Sequence, residues 1–330
     1  MKNQLLKLRN MGAVQTLSAD VVKTSFLDNG LNFPLVLEST TSDVVLEKWM
    51  VDNRAEFEQK LRKQGGILCR GFNIDTVEKF QSLMDKFPNE LLDYAFRSSP
   101  RFEITNNVYV STTYPPEEII NMHSESSYAP THPSRIVFCC IIAAEERGET
   151  PIADNRLILE HMSDELKQKF TEKGVQYRRY LNSFMGLGWE EVFQTEDKAK
   201  VEAECKKNGM DFTWVSDQEL VLTWTKKAIW EHPVTGELAW FNHSLFFNKY
   251  MLPESILNTV ETDDQLPNNT FFGDGTPISK EEIEEIKNAY KKSTVMFPWE
   301  EGDVLFLDNM FASHGRNSYK GDRKIIVSMS

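Results

Sequence analysis

Two histidines and one glutamate in this chain have the residue types of a defined kind of metal site. His123 and Glu125 are separated only by Ser124, and His314 follows far downstream. Two imidazoles and one carboxylate form the facial triad that holds Fe(II) on one side and leaves positions open for a co-substrate and O2. The short spacing suits two ligands at the end of one strand, whereas the fold must bring in His314.

The His-x-Glu pair alone is weak evidence for such a site. With 6 histidines and 50 acidic residues among 330, about one histidine followed two positions later by an acid is expected by chance. His123 is the one histidine with this spacing. The interpretation therefore depends on the sequence around the pair.

Short runs of β-branched and aromatic residues, bounded by Gly, Pro and Asn, predict the strands that position these residues. The runs are Ile104 to Val110, Arg135 to Ala144, Leu220 to Trp224, Ala228 to Trp230, Asp303 to Leu307 and Arg323 to Met329. Scattered short strands are typical of a sandwich or jelly roll. The predicted fold class is mainly β with flanking helices.

The chain is predicted to form a single domain over residues 1–330. Residues 1–100 are helical in character, and a β core follows over 101–330 with a helical insert at about 157–212. No stretch is rich enough in Pro, Gly or Ser to act as a linker between two domains.

Local signals mark individual elements within this plan. Ser42 can cap a helix that runs through Trp49, and Gly66 to Phe72 is predicted to be a short buried strand. Asp75 to Phe87 has the apolar stripe of an amphipathic helix. The Ser279 to Glu282 segment is a capping box that opens a further helix.

Composition narrows the classes of partner. The formal net charge is −13, which argues against binding to nucleic acid or to an anionic membrane surface. No apolar run reaches the length of about 18 residues that a membrane span needs, and the first ten residues lack the apolar segment of a secretory signal. The four cysteines form no disulfide-like pattern, which favours a cytoplasmic protein.

Further motifs surround the three candidate ligands in a fixed order. They are GETPIADNR from Gly148, HPVTGE from His232 leading into WFNH, GDG from Gly273, GDVLFLDN from Gly302, HGR from His314, and GDRKIIV from Gly321. Together they resemble the Fe(II)/2-oxoglutarate-dependent dioxygenases of the taurine dioxygenase (TauD/TfdA-like) family, in particular amino-acid hydroxylases of natural-product pathways. The resemblance extends from about Pro34 to the C-terminus. It implies a double-stranded β-helix, the jelly roll of clavaminate synthase-like proteins, with Fe(II) at its open end.

The resemblance also implies roles for individual residues. His123, Glu125 and His314 match the iron ligands of the family. Thr150 and Arg323 match the residues that bind the distal carboxylate of 2-oxoglutarate, and a guanidinium and a hydroxyl suit that role chemically. The segment between His314 and Arg323 is shorter than in many relatives, which makes Arg316 an alternative for this role. Arg323 is the preferred residue.

The implied reaction is hydroxylation of an unactivated C–H bond with O2, coupled to conversion of 2-oxoglutarate into succinate and CO2. Desaturation, cyclisation or epimerisation by the same chemistry remains an alternative. Two alternative functions from other classes remain open. One is a metal-binding scaffold, and the other is a zinc hydrolase, because zinc accepts the same ligands. A carboxylate clamp beside the metal would distinguish an oxygenase from both.

The substrate implied by the resemblance is an amino acid or an amino-acid-like metabolite. A free amino acid requires a partner for its carboxylate, with Arg97, Arg101 and Arg156 as candidates, and a partner for its ammonium group, with Glu149 or Asp154 as candidates. A carrier-protein-bound substrate is the alternative. The acidic chain makes docking of an acidic carrier harder, so a free small molecule is preferred.

Overall fold

The computed structural model describes residues 21–27, 30–41, 43–87, 103–105, 108–112, 114–184 and 186–330. The predicted cap Ser42 and two of the substrate candidates, Arg97 and Arg101, lie outside these residues. Within the described part, the helices are α1 (Leu46–Asp52), α2 (Arg54–Gln64), α3 (Val77–Met84), α4 (Asn155–Glu160), α5 (Asp164–Lys173), α6 (Trp189–Phe193), α7 (Lys198–Lys207), α8 (Glu254–Leu257) and α9 (Lys280–Ser293).

The described strands outnumber the helices. They are β1 (Val22–Phe26), β2 (Leu35–Ser39), β3 (Gly66–Arg70), β4 (Glu103–Thr105), β5 (Val108–Val110), β6 (Ile120–His123), β7 (Arg135–Ile142), β8 (Glu146–Arg147), β9 (Ile152–Asp154), β10 (Val175–Leu181), β11 (Asp211–Trp214), β12 (Leu220–Lys226), β13 (Ile229–Glu231), β14 (Leu238–Trp240), β15 (Asn268–Phe272), β16 (Thr294–Val295), β17 (Val304–Asp308), β18 (Ala312–Arg316), β19 (Tyr319–Lys320) and β20 (Lys324–Met329).

Two sheets form the jelly roll. The larger sheet has eight strands in the order β1-β2-β3-β17-β7-β20-β5-β4, and the smaller has four in the order β16-β9-β18-β6. One core lies between the sheets, with Leu305 and Val327 from the larger sheet against Ile152 and Ala312 from the smaller. The predicted jelly roll is thus confirmed.

The central strands of the larger sheet are apolar on both faces because both faces are covered. In β17, Leu305 and Leu307 point into the core between the sheets, whereas Val304 and Phe306 pack in a second core with α1–α3. Successive side chains of a strand point to opposite faces, so a strand buried on both sides is a continuous apolar run. This is why the sequence signal for these strands is strong.

A third core contains a separate four-stranded sheet, β11-β12-β10-β15. Helices α5, α7 and α9 bury Phe170, Val201 and Ile283 in this core. The capping box that opens α9 is present as predicted, with Ser279 and Glu282 bonded reciprocally.

Two segments that were predicted to be helical also contain strands. The N-terminal part contains β1, β2 and β3, which extend the larger sheet, and the insert at 157–212 contains β10, one of the two inner strands of the sheet in the third core. In β10 apolar and polar residues alternate, with a burial pattern of period two, and a helical composition around it hid this signal. The helix predicted at Asp75 to Phe87 is present but shorter, as α3.

Candidate metal centre and adjoining cavity

Antiparallel pairing of β6 with β18 brings the two histidines together. His123 and His314 are direct register partners, and their ring centroids are 4.5 Å apart. The pairing shifts register between His314 and Arg316. Gly315 lies at this irregularity, where a Cβ atom would come within 2.7 Å of the Ile120 carbonyl oxygen. The glycine of the HGR motif therefore permits the close approach of the two strands that carry the histidines.

Glu125 reaches the histidines from the turn that follows β6. Ser126 has a left-handed backbone conformation with φ of 53°, which turns the chain sharply after the glutamate. The ligand atoms of His123, Glu125 and His314 all lie within 4.8 Å of one another. The three candidate ligands, distant in sequence, thus form one cluster.

Asn309 fixes the backbone on which Glu125 sits. Its Oδ1 accepts from the Glu125 N–H at 2.8 Å, and its Nδ2 donates to the carbonyl oxygens of Glu125 and Pro133 at 2.9 and 2.8 Å. Asn309 is fully buried. Sequence reasoning placed it only at the end of the GDVLFLDN motif and did not assign it this role.

The cluster passes a chemical test for a metal site. The Nδ1 atom of His123 is 2.8 Å from the carbonyl oxygen of Asn121, and because a carbonyl only accepts, Nδ1 carries the proton. The Nε2 atom is then the unprotonated nitrogen and faces Glu125 Oε2 at 3.9 Å. A ring nitrogen oriented in this way by a backbone acceptor is typical of metal-bound histidine.

Arg323 and Thr150 lie side by side on the same cavity. Arg323 Nε donates to the Gly148 carbonyl oxygen at 2.8 Å, and its Nη2 donates to Thr150 Oγ1 at 3.3 Å. Trp299 Nε1 also donates to Thr150 Oγ1, at 3.1 Å. Since this oxygen already accepts twice, the Thr150 hydroxyl proton is available for a ligand in the cavity.

Arg323 has no carboxylate partner among the described residues. Burial lowers its pKa to about 10, which leaves the guanidinium protonated at neutral pH. Its stem packs on Gly148, whose φ is +74° and where a Cβ atom would come within 3.1 Å of Arg323 Cδ. The cavity therefore contains a half-buried cation that can bind a carboxylate of a ligand.

Arg316, the alternative clamp, is engaged by the backbone. Its Nη1 donates to the Tyr114 carbonyl oxygen and its Nη2 to those of Pro115 and Glu118, at 2.5–2.7 Å. These three acceptors tie the segment 114–118, which follows β5 and lines the cavity mouth. The geometry favours Arg323 over Arg316 as a carboxylate partner.

The cavity has a volume of about 430 Å³ and is bounded by all six predicted site residues. Its other lining residues are Ser111, Thr112, Tyr114, Glu118, Ile119, Ile120, Asn121, Ile136, Phe138, His243, Phe246, Phe247, Met251, Leu252, Pro253, Asn268, Gly315, Val327 and Met329. His243, Phe246 and Asn268 were not predicted as site residues. His243 lines the cavity while its Nδ1 atom is bonded to Ser127.

The described substrate candidates do not line this cavity. Arg156 pairs with Asp154 and Glu237 and lies over the Phe311 ring, and Glu149 accepts from Asn317. The structure therefore does not bring these candidates to the cavity that the predicted metal ligands line. Ion pairs and hydrogen bonds with neighbours already satisfy these groups, which sequence spacing could not reveal.

The fold and the cluster are typical of jelly-roll metalloenzymes. The family model described as "Taurine catabolism dioxygenase TauD, TfdA family" matches residues 32–329. The chain therefore belongs to this family of dioxygenases, as the sequence motifs predicted. Among the described residues, no helix has both the length and the apolar character to cross a membrane.

Individual relatives extend over most of the chain. It is 34% identical over 298 residues to the dapdiamide synthesis protein DdaC of Enterobacter agglomerans, covering 89% of this chain and 90% of that protein. It is 27% identical over 278 residues to a clavaminate synthase-like protein of Arabidopsis thaliana, covering 82% of each. A solved structure of PvcB, described as an Fe, alpha-ketoglutarate dependent oxygenase from an isonitrile synthetic pathway, superposes with a TM-score of 0.56 at 14% identity, covering 95% of this chain and 92% of that chain. At that identity the likeness shows a shared fold.

Proposed function

We propose that this dioxygenase binds Fe(II) through His123, Glu125 and His314 and 2-oxoglutarate through Arg323 and Thr150. One observation carries the proposal: two imidazoles and a carboxylate converge on the same cavity as a half-buried arginine that has no described carboxylate partner. The donor set is that of the facial triad. A dicarboxylate bound at the metal can extend to the arginine.

Fe(II), 2-oxoglutarate and O2, when bound, supply oxidation of an unactivated C–H bond with release of succinate and CO2. The chain itself holds and orients these groups. The Arg323 fork and the Thr150 hydroxyl fix one carboxylate of the co-substrate, and Asn121 and Asn309 fix His123 and the Glu125 backbone. Phe138 packs edge-on against His314 with ring centroids 5.1 Å apart, which limits the access of water.

The proposed primary substrate is an amino acid or an amino-acid-like metabolite, and the proposed outcome is hydroxylation within a biosynthetic pathway. The names of DdaC and PvcB, which refer to dapdiamide synthesis and to an isonitrile synthetic pathway, support this assignment. A carrier-bound form of the substrate is retained as the alternative. A cytoplasmic location is also proposed, supported by four cysteines that are all buried and unpaired.

Anaerobic spectroscopy tests the assignment directly. Addition of Fe(II) and 2-oxoglutarate to the metal-free protein should produce a weak visible charge-transfer band, which Zn(II) in place of Fe(II) should not produce. Omission of 2-oxoglutarate is the second control. Absence of the band from protein that retains zinc through purification would favour a zinc hydrolase instead.

A further inference from the structure

The two candidate histidine ligands divide the cavity into two sides. Next to His314 lie Phe138 and, beyond it, the strand that follows Arg323, since Val327 pairs with Phe138 across β7 and β20. Thr150 is on this side too, because it precedes β9, where Ile152 pairs with His314. This is the co-substrate side of the proposed function.

The opposite side, next to His123, is formed by another part of the chain. Phe246 and His243 flank the His123 ring, with centroids 4.9 and 5.7 Å from it. Further along this wall lie residues 247 and 251–253, which are apolar, and Asn268. We call this surface, residues 243, 246, 247, 251–253 and 268, the insert wall. It leaves room for a second ligand beside the co-substrate.

His243 presents one nitrogen to the cavity. Its backbone N–H donates to the Tyr177 hydroxyl at 2.9 Å, and its Nδ1 is 2.6 Å from Ser127 Oγ. These two contacts fix the ring. Nε2 has no hydrogen-bond partner within the described part of the chain, and the side chain lines the cavity although it is only 3% exposed. Nε2 can therefore bond to a ligand there.

Asn268 is the second polar group of the insert wall. Its Oδ1 is buried and has no hydrogen-bond partner among the residues described. The next residue, Asn269, differs: its Oδ1 accepts from the backbone N–H groups of Lys249 and Thr270. An unsatisfied buried amide oxygen is unfavourable, and Asn268 lines the cavity, so its amide is the second polar group of this wall that a ligand can engage.

We propose that His243 and Asn268 bind uncharged hydrogen-bonding groups of the primary substrate, of the kind that an amide or a thioester carbonyl presents, while the phenyl rings of the insert wall contact its apolar part. The inference rests on the proposed function and narrows its substrate to one whose carboxyl group is masked. A free carboxylate against this wall would be desolvated without an ionic partner among the residues of the insert wall. The Arg179 guanidinium, across the strand pair from Asn268, lies over the Phe247 ring and does not line the cavity.

Matched substrates test this inference. A panel of amino acids is supplied as free acids, as primary carboxamides and as thioesters of a short thiol, and succinate release above the substrate-free rate is measured for each. We expect amides or thioesters to stimulate release about tenfold more than the matching acids, as for one well-placed hydrogen bond. Stimulation by thioesters alone would indicate a substrate linked to a carrier protein, and stimulation by amides would indicate a free substrate. Both results support the inference.

Variants at the two polar positions complete the test. Asn268→Leu and His243→Leu should remove the preference for masked carboxyl groups, and His243→Gln should restore part of it. Asn258→Leu is the same change at a residue that does not line the cavity, and it should keep the preference. The charge-transfer band and the Michaelis constant for 2-oxoglutarate should stay unchanged in Asn268→Leu.

Several results would overturn the inference. They are stimulation by free acids equal to or above that by masked forms, no stimulation by any member of the panel, and an unchanged preference in both Asn268→Leu and His243→Leu. The charge-transfer band separates these failures from failure of the proposed function, because the band depends on Fe(II) and 2-oxoglutarate without the primary substrate.

Discussion

At the scale of single residues, the polar groups of the cavity differ in how many hydrogen bonds they already make with the protein. Arg316 and Arg323 are seven positions apart and both line the cavity. One donates to three backbone carbonyls, and the other has no described carboxylate partner. The number of acceptors already at each guanidinium decides which arginine can bind a ligand.

The metal assignment predicts loss of turnover on removal of one ligand. His314→Ala or His123→Ala should abolish succinate release, because a site with three protein ligands loses one of them. Changes to residues that only orient ligands cost about 10–100-fold in metal affinity or activity. Bound iron and succinate are measured, with circular dichroism as the control for folding. Near-normal succinate release in either variant would show that the ligand assignment is wrong.

The clamp assignment predicts different effects for the two arginines. Arg323→Ala should raise the Michaelis constant for 2-oxoglutarate steeply. The expected loss of binding free energy is about 2–5 kcal/mol, as when one partner of a hydrogen-bonded charge pair is removed. Arg316→Ala should change that constant less, because its hydrogen bonds hold segment 114–118 at the mouth.

The comparison is made by steady-state kinetics at varied 2-oxoglutarate and by titration of the charge-transfer band. Arg323→Lys serves as the matched control that keeps the charge and loses the fork. A larger rise of the Michaelis constant in Arg316→Ala than in Arg323→Ala would move the clamp to Arg316.

At the scale of elements, the centre depends on contacts between segments far apart in the chain. β6 and β18 place the histidines opposite each other, while the residue that follows β17, Asn309, holds the turn that carries Glu125. The larger sheet thus positions the carboxylate, and the smaller sheet positions both imidazoles.

This arrangement predicts that Asn309→Ala weakens both the fold and the metal site. Loss of three hydrogen bonds to buried backbone groups should lower the free energy of unfolding by about 1–3 kcal/mol, and metal affinity should fall by about 10–100-fold. Chemical denaturation and Fe(II) titration measure the two effects. Asn317→Ala, which removes one hydrogen bond to Glu149, is the control and should leave the metal affinity unchanged.

At the scale of the whole molecule, the cores determine how stability depends on pH. Cys69, Cys139, Cys140 and Cys205 are all buried. Burial disfavours the thiolate and raises the pKa of each thiol, to about 12 for Cys140 and about 11 for Cys205. In the unfolded chain these thiols ionise near pH 8.5.

The protein is therefore predicted to lose stability in alkali. Below about pH 8.5 both states keep the thiol protons, and above it only the unfolded state loses them. The free energy of unfolding should fall as pH rises, by up to about 1.4 kcal/mol per pH unit for each thiol. Denaturation curves between pH 7.5 and 10.5 measure this slope. Cys205→Ala should make the slope shallower by one thiol's share, and an unchanged slope would contradict the explanation.

The sequence by itself determined features that depend on residue type and on local period. The short runs of apolar and β-branched residues at β17 and β20 predicted strands, and the Ser279 to Glu282 capping box predicted the start of α9. The order of motifs from His123 to Arg323 predicted the family. Each of these features depends only on the types and the order of residues along the chain, so it can be predicted without knowledge of the tertiary contacts.

Only the tertiary structure decided how the remaining groups are used. Arg156, Glu149 and Asp154 have suitable charges for an amino-acid substrate, but Arg156 pairs with Asp154 and with the distant Glu237, and the distant Asn317 donates to Glu149. Asn309 and Asn268 have the same side chain, yet one is bonded to the backbone around Glu125 and the other lines the cavity and has a buried amide oxygen without a partner among the described residues. The physical reason is that the function of a polar side chain depends on which hydrogen-bond partners surround it, and the packing of distant segments sets those partners.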